Sequence, residues 1–433
     1  MSIVGDVEAP DETSARLERL RAGRAPTVAR VPRRTRVRRA LHRQLTARRG
    51  PIVVLHRWVS LVLVAWIVVE SLTGALLVFE PQLTSWWNRD DIQVTAGDVG
   101  MADAARAASE AVDDAPVTFV SAPDGDGSAG MYQVVVRQAD GDAATVLVDP
   151  GSGEVTTTDH RMPVLLRWAF EVHVRLNSTS IGGFAGLTVV GAFGVAWLLV
   201  MLSGLYVWYW PGVKRWANAL RVRRRRGRFT WNLDLHKALG IVVWLPLVLV
   251  IVTGINLAFP RQVEDVYRVV VLGTFDHPET DTPLSTVAPT PPIGPEEARR
   301  AVAALDPSID VESVGTPAGS PVGVYTVSAR VDPSFLGQVG GERPVSFAVD
   351  QYSGAVVSVD DHRLDGASVE AYETWSYPVH VGSFGGTTTR WIWVALGLAP
   401  VVMSWTGVRM WLDRRRKRTQ RPAEEETLQE EPS

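Results

Sequence analysis

The sequence contains no cysteine. This absence excludes disulfide bonds, iron–sulfur clusters held by cysteine, and covalent attachment of a c-type haem, which needs a C-x-x-C-H motif. The sequence also lacks a G-x-G-x-x-G loop placed between a strand-like run and a helical run, so no dinucleotide-binding fold is indicated. The net charge is only −3, because strongly basic and strongly acidic segments alternate along the chain and nearly cancel.

Long apolar runs are what the sequence does have. Four of them cover residues 52–80, 184–210, 237–260 and 388–412. A helix needs about 20 apolar residues to cross the roughly 30 Å hydrocarbon layer of a membrane. The sequence therefore predicts four transmembrane helices. We do not expect the first run to be a cleaved signal peptide, because it is long, follows a long tail and precedes no small-residue cleavage site.

The distribution of charge predicts how these helices are oriented. Residues 1–50, 211–236 and 413–433 are rich in arginine and lysine, whereas residues 81–183 and 261–387 are acidic. Basic segments stay on the cytoplasmic side of a membrane. We therefore expect both termini to be cytoplasmic. Residues 1–50 should be a disordered basic tail that contacts anionic lipid and no nucleic acid.

One stretch of the sequence occurs twice. Residues 55–79 read LHRWVSLVLVAWIVVESLTGALLVF, and residues 235–259 read LHKALGIVVWLPLVLVIVTGINLAF. In both copies a glycine follows the histidine by 18 residues and a phenylalanine follows it by 23 residues. Agreement at several ungapped spacings predicts an internal duplication.

The two acidic segments also share an order of elements. A helical pattern at 101–112 precedes strand-like runs at 117–122, 132–138, 145–149 and 154–157, and a helical pattern at 295–305 precedes runs at 322–331 and 345–350. The turns VDPGSGEVTTTDHR (148–161) and VDQYSGAVVSVDDHR (349–363) then align. Each acidic segment is therefore predicted to be a small α+β unit.

This order of a helix, strands and a V-D-x-x-[ST]-G-x-V turn resembles the PepSY domain. Together with the histidine-led helices, the resemblance extends to the PepSY-associated transmembrane family over residues 50–415. It implies an α-helical membrane protein with two extracytoplasmic α+β PepSY-like domains. The expected domains are the tail 1–50, helix 51–80, PepSY-like domain 81–183, helix 184–210, loop 211–236, helix 237–260, PepSY-like domain 261–387, helix 388–412 and tail 413–433.

Four histidines occupy equivalent places in the two halves. His56 and His236 open the first and third helices at the cytoplasmic side, and His173 and His380 precede the second and fourth helices at the outer side. A pseudo-two-fold axis would bring each equivalent pair together. Two facing histidines can bind haem iron axially, and copper held by histidines stays open as an alternative.

Several other residues are candidates for the same site. Glu70 lies in the first apolar run, 14 residues after His56 and on about the same face of the helix. A carboxylate there is costly and indicates function, either in proton uptake or in a polar contact with a cofactor, unless it is a neutral glutamate bonded to a neighbouring helix. Arg57 and Lys237 would reach haem propionates, although interfacial snorkelling also explains them. His160 and His362, in the two Asp-His-Arg turns, would bind an outer substrate or metal unless they are simply polar turn residues.

The family resemblance implies a function. Relatives include dihaem ferric-siderophore reductases and iron-regulated membrane proteins, which implies two b-type haems ligated by His56, His236, His173 and His380, and an outer ferric chelate or siderophore as substrate. Longer relatives carry a fused flavin reductase domain, so a separate cytoplasmic reductase or a membrane quinol is the expected donor. The alternatives are a PepSY sensor or regulatory protein without enzymatic activity, and a protein that handles copper or haem.

Overall fold

The computed structural model describes residues 33–92, 94–123, 130–158, 160–177, 183–209, 220–223, 225–273, 283–317, 319–331, 344–361 and 367–429. The helices are α1 Arg33–Leu77, α2 Glu80–Trp87, α3 Met101–Glu110, α4 Val164–Arg175, α5 Gly183–Tyr209, α6 Arg228–Ala258, α7 Pro260–Tyr267, α8 Pro295–Ala303, α9 Ala367–Val381 and α10 Gly386–Gln429. The strands are β1 Val117–Ser121, β2 Tyr132–Arg137, β3 Ala143–Val148, β4 Val155–Thr157, β5 Asp310–Gly315, β6 Val324–Arg330, β7 Val345–Asp350 and β8 Val356–Asp360.

Four of these helices are long and apolar enough to cross a membrane. The candidate spans are Arg48–Leu77 in α1, Ala185–Tyr209 in α5, Arg228–Ala258 in α6 and Gly386–Arg416 in α10. They confirm the four predicted transmembrane helices. The structure differs from the expected irregular tail in one respect, because residues 33–50 are already helical as part of α1. Residues 1–32 lie outside the described part of the chain.

The four spans pack as a ring. Helix α1 contacts α5 and α10, and α6 contacts the same two helices, so α1 and α6 stand diagonally across the bundle. Many apolar residues of the spans are exposed, and Val62, Leu199 and Val242 have exposed fractions above 60%. Such apolar exposure is unfavourable in water but matches lipid, where helices associate through close packing instead of the hydrophobic effect.

The two ends of this bundle are called the sheet end and the loop end. At the sheet end, α1 and α6 finish and α5 and α10 begin. At the loop end, α1 and α6 enter the bundle and α5 and α10 leave it. Between the ends, a buried apolar layer closes the interior; its members are Leu63, Ile67, Trp197, Val200, Met201, Val243, Leu247, Ile251, Ile255, Leu396 and Ala399.

Both acidic segments contribute to a single antiparallel sheet. Its eight strands run in the order β4-β3-β2-β1-β5-β6-β7-β8, so four strands come from each segment. The halves join where β1 pairs with β5, with Val120 opposite Val314 and Ser121 opposite Ser313. Strand β5 was not predicted from sequence, although it forms this junction. The boundaries of two separate PepSY-like domains therefore stay a prediction, since one sheet spans both.

Helices α3 and α8 cover one face of the sheet. In α3 the buried residues Met101, Ala104, Ala105 and Ala108 recur at helical spacing. Alternate residues of the strands meet them, as Val134 and Val136 do in β2. Small alanine side chains let the helix lie close to the sheet, and the resulting core is continuous across the β1–β5 junction.

The repeated V-D-x-x-S-G turns tie the sheet to the chain that arrives from the bundle. Asp149 accepts hydrogen bonds from the backbone N–H of Thr95 at 2.8 Å and of Ser152 at 3.0 Å. Asp350 accepts the equivalent bonds from Thr286 at 2.6 Å and Ser353 at 2.8 Å. The motif glycines, Gly153 and Gly354, have φ values of 75° and 71°, a left-handed conformation that favours glycine.

These two carboxylates are expected to stabilise the sheet in a pH-dependent way. Desolvation alone would raise the pKa of Asp149, but hydrogen bonds from Ser152 and Thr95 outweigh it and hold that pKa well below its ordinary value. The pKa of Asp350 is lowered in the same way, by bonds from Ser353, Thr286 and Tyr352 that outweigh desolvation. A carboxyl group whose pKa is lowered by folding stabilises above its unfolded pKa, and that contribution is lost as the pH falls.

We therefore predict that Asp149→Ala and Asp350→Ala each lower the free energy of unfolding of the sheet by about 1–3 kcal/mol, because buried donors lose their acceptor. In the wild-type protein the sheet should lose stability as the pH falls below about 4, whereas the double variant should lose less over that range. Protection of sheet amides against hydrogen exchange, corrected for the intrinsic pH dependence of exchange, measures both effects. Equal pH dependence in the two proteins would contradict the assignment.

Candidate functional site: two histidine pairs in the helix bundle

At the loop end, His56 of α1 and His236 of α6 point toward the neighbouring span. The Nδ1 atom of His56 lies 3.0 Å from the Ser203 hydroxyl and 3.2 Å from the Val200 carbonyl oxygen of α5. The Nδ1 atom of His236 lies 3.0 Å from both the Thr406 hydroxyl and the Met403 carbonyl oxygen of α10. The two histidines lie on diagonal helices at the same end of the bundle.

At the sheet end, the histidines lie on the short helices α4 and α9, not on the spans that follow. The Nδ1 atom of His173 lies 3.2 Å from the Thr73 hydroxyl of α1, and that of His380 lies 3.2 Å from the Thr253 hydroxyl of α6. The ring centroids of these two histidines are 6.3 Å apart, with an interplanar angle of 49°. The sequence analysis placed this pair at the entrances of α5 and α10, and the structure anchors it to α1 and α6.

The hydrogen bonds determine which nitrogen of each ring carries the proton. Each anchoring hydroxyl donates its single proton to a carbonyl of its own helix, as Ser203 does to Val200 at 2.8 Å and Thr406 to Met403 at 2.9 Å. Thr73 and Thr253 do the same within α1 and α6. The hydroxyl oxygen then accepts from the histidine, and a nearby carbonyl can only accept. All four rings therefore carry the proton on Nδ1 and leave a lone pair on Nε2.

No hydrogen-bond partner for any of the four Nε2 atoms exists among the residues that the structure describes. Within the same residues, no group of three histidine, aspartate or glutamate side chains converges in a way that could hold a metal ion. The available donor set at each end of the bundle is therefore two imidazole nitrogens. Histidines that ligate a metal almost always donate their second ring N–H to a carbonyl, carboxylate or water, and these four do.

Glycines provide the space in which the rings lie. A methyl group at Gly74 would lie 2.9 Å from Cε1 of His173, and one at Gly254 would lie 2.9 Å from Cε1 of His380. At the loop end the corresponding distance is 3.2 Å for Gly204 beneath His56 and 3.8 Å for Gly407 beneath His236. Every anchoring Ser or Thr immediately precedes its glycine. The hydrogen bonds between these Ser-Gly or Thr-Gly pairs and the histidines were not predicted from the sequence.

Glu70 lies beside His173 of the sheet-end pair. Its Oε1 atom lies 3.3 Å from Nδ1 of His173, although the helical periodicity had associated it with the face of His56. Only 9% of the residue is exposed, and its Oε2 atom has no hydrogen-bond partner among the described residues. The structure therefore brings together Glu70, His173 and His380 at one end of the bundle.

The structure gives Arg57 and Lys237 contacts outside the histidine pairs. The guanidinium of Arg57 stacks over the neighbouring Trp58 ring at 5.4 Å, and its buried Nε has no partner in the described part of the chain. Lys237 lies near Asp234, which forms a two-atom ion pair with Arg223 at 2.7 and 2.9 Å. The sequence analysis did not single out that buried ion pair.

The two Asp-His-Arg turns are only partly described. The backbone N–H of His160 donates to the Thr145 carbonyl at 2.9 Å, and burial lowers the pKa of its imidazole. His160 lines an open cleft with Gln138, Asp142, Arg161 and Arg167. This cleft is beside strand β3 and separate from the histidine pairs. His362 lies outside the described residues.

Four apolar candidate spans in one bundle, with two histidines near each end and a sheet beyond one end, define a membrane protein with an attached antiparallel sheet. The chain belongs to the family described as the PepSY-associated TM region, which matches residues 53–414. No curated protein matches the sequence.

The close contact at Gly254 generates a prediction with a matched control. Gly254→Ala must displace the His380 ring and should lower the free energy of unfolding by about 1–3 kcal/mol, which is typical of overpacking. Gly407→Ala places a methyl group in ordinary van der Waals contact with His236. Because both changes replace a helical glycine by alanine, the gain in helix propensity is common to both.

Thermal unfolding of the detergent-solubilised variants, followed by tryptophan fluorescence, makes the comparison. We expect a lower midpoint for Gly254→Ala and a wild-type or higher midpoint for Gly407→Ala. If the two variants unfold at the same temperature, the close contact between Gly254 and the His380 ring is disproved.

Proposed function

We propose that this protein transfers electrons across the bacterial cytoplasmic membrane through two b-type haems and reduces a ferric chelate on the side of the sheet. His56 and His236 would hold one haem at the loop end, and His173 and His380 would hold the other at the sheet end. The observation that carries the proposal is that all four imidazoles commit their Nδ1 protons to neighbouring acceptors, so that each Nε2 keeps a lone pair without a partner among the described residues.

The spacing of the sheet-end pair supports the fit. A bond between a metal ion and an imidazole nitrogen is about 2 Å long, so two rings that face one ion stand roughly 6 Å apart between centroids. The observed separation is 6.3 Å. Among the described residues, no group of three ligating side chains could hold a metal ion at either pair, which suits a group that brings its own equatorial ligands.

Haem iron, when bound, alternates between the ferric and ferrous states and so carries one electron at a time. The chain's own residues orient the ligands and exclude water. The hydroxyl and carbonyl acceptors prevent the imidazoles from rotating, and the apolar layer around Trp197, Leu247 and Leu396 separates the two ends of the bundle. One electron from a cytoplasmic reductase or a membrane quinol would convert one ferric ion of the external chelate to ferrous.

The charge pattern and the repeats support the remaining parts of the proposal. Arginine-rich segments adjoin the loop end, which supports a cytoplasmic position for that end and both termini and an outer position for the sheet. The equivalent order of helix, strands and V-D-x-x-S-G turn in both halves favours an origin by duplication. On this view the β1–β5 junction lies at the pseudo-two-fold axis that also relates the histidines of each pair.

The ligand assignment predicts the haem content of single variants. His56→Ala and His236→Ala should each lose the loop-end haem, and the double variant should lose no more, because both ligands serve one iron. His173→Ala and His380→Ala should lose the other haem. His160→Ala is the matched control, since His160 belongs to neither pair, and should retain both haems.

Absorption spectra and redox titrations of the purified proteins test this assignment of ligands. Reducible Soret and α bands in the wild-type protein are expected. A colourless and metal-free wild-type preparation would overturn the proposal and favour a sensor. Loss of different haems from His56→Ala and His236→Ala would overturn the pairing alone.

The exit of electrons is testable in proteoliposomes with donor supplied at the loop end. His380→Ala should abolish reduction of an external chelate and leave the loop-end haem reducible. Residues 81–183 contain 15 acidic and six basic residues, so neutral or cationic ferric complexes should react faster than ferric citrate. The preference should shrink at about 0.5 M salt, where screening extends only a few ångströms. Full chelate reduction by His380→Ala would exclude the sheet-end pair as the exit.

A further inference from the structure

We infer that Glu70 makes the two ligands of the sheet-end pair chemically unequal, by accepting a hydrogen bond from Nδ1–H of His173 and thereby lowering the reduction potential of the group held there. The inference rests on the proposed haem sites. It assigns to Glu70 a positioning and tuning role that acts through His173.

Glu70 approaches the same nitrogen of His173 as the anchoring hydroxyl of Thr73. Glu70, Thr73 and Gly74 follow one another at helical spacing on one face of α1, and all three touch the His173 ring. The carboxylate Oε1 lies 3.3 Å from Nδ1 and the hydroxyl oxygen lies 3.2 Å from it. Since the hydroxyl donates its own proton to α1 carbonyls, its oxygen accepts from Nδ1 of His173, and Oε1 of Glu70 lies at ion-pair distance from the same nitrogen.

The other half of the chain provides an internal comparison. Val250, Thr253 and Gly254 of α6 stand to His380 as Glu70, Thr73 and Gly74 stand to His173. The carbonyl oxygen of Val250 accepts from Nδ1 of His380 at 3.1 Å, and the valine side chain offers no acceptor. The surroundings of the two rings therefore match in the hydroxyl and in the glycine, and differ in one carboxylate.

The burial of Glu70 indicates that the contact is specific. A carboxyl group inside a lipid-surrounded bundle is costly and persists where it has a role. One oxygen of Glu70 faces His173, and the other is buried without a partner among the described residues. If the side chain served only to pack the bundle, an apolar residue such as the valine of the other half would fill the position at lower cost.

A hydrogen bond to a carboxylate is stronger than one to a neutral carbonyl. It draws the Nδ1 proton away from the ring, which raises the basicity of Nε2 and its donation of electrons to a metal. An electron-rich ligand stabilises the ferric over the ferrous state. The sheet-end group then becomes the better reductant, which suits the end of the bundle from which electrons are proposed to leave.

The experiment compares Glu70→Val, which reproduces the residue of the other half, with Glu70→Gln, which keeps the shape and a neutral acceptor. Midpoint potentials of both haems are measured by spectroelectrochemical titration of the purified holoprotein. Low-spin electron paramagnetic resonance signals, which report on ligand donation, are recorded on the same samples. The matched control is Val248→Ala, a change on α6 that alters none of the acceptors of His173 or His380.

We expect Glu70→Val to raise the sheet-end potential so that the ratio of oxidised to reduced haem at a fixed ambient potential changes about tenfold, which corresponds to 59 mV for one electron. Glu70→Gln should shift it in the same direction by less. The loop-end potential and the control should not change. A sheet-end potential and resonance signal that are unchanged in Glu70→Gln and Glu70→Val would overturn the inference.

The outcomes also separate this inference from the function on which it rests. A wild-type protein without haem refutes the proposed function itself. A wild-type protein with two haems, whose Glu70 variants keep the wild-type potentials, refutes only the role of Glu70. Should Glu70→Val bind too little haem to titrate, the isosteric Glu70→Gln variant decides by its potential.

Discussion

An imidazole N–H buried in a lipid-surrounded helix bundle has no water to bind, and the cost of leaving it unpaired is several kilocalories per mole. In this protein each of four histidines solves the problem in the same way. The Nδ1 proton goes to a hydroxyl and a carbonyl of an adjacent helix, and glycine at the next position makes room for the ring. The bond that satisfies one nitrogen leaves the other with a lone pair that has no partner among the described residues. The arrangement of the helices follows from this requirement, since each ring needs a small-residue pair at its own depth.

The sheet is coupled to this arrangement by chain connectivity. Each half passes from a span into strands and returns through a short helix that carries a sheet-end histidine, α4 in one half and α9 in the other. Because β1 and β5 pair, the two halves meet in the sheet as well as in the bundle.

The near-symmetry of the two halves makes the exceptions informative. Three of the four rings have only hydroxyl and carbonyl acceptors, and one has a carboxylate in addition. At the loop end, Asp234 precedes His236 by two residues and is paired with Arg223, whereas the equivalent position before His56 is the apolar Val54. These differences lie beside the histidines, where a change of charge alters the chemistry of a ligand more than it alters the packing.

Much of the architecture could be predicted from local pattern. Apolar run length, arginine bias and the repeated histidine spacings indicated the four spans and the equivalent histidines, because these features depend on periodicity and composition within one segment. Strand β5 was missed, since DVESVG has little alternation of its own and becomes a strand by pairing with β1. The tautomers, the seating of His173 against α1 instead of α5, and the contact between Glu70 and His173 also escaped the sequence. Glu70 is 103 residues from His173 along the chain, and helical periodicity relates residues only within one helix. The sequence by itself determined which residues lie in the apolar runs and which recur in both halves. Only the tertiary packing decided which nitrogen faces which acceptor, because that depends on how helices far apart in the chain approach one another.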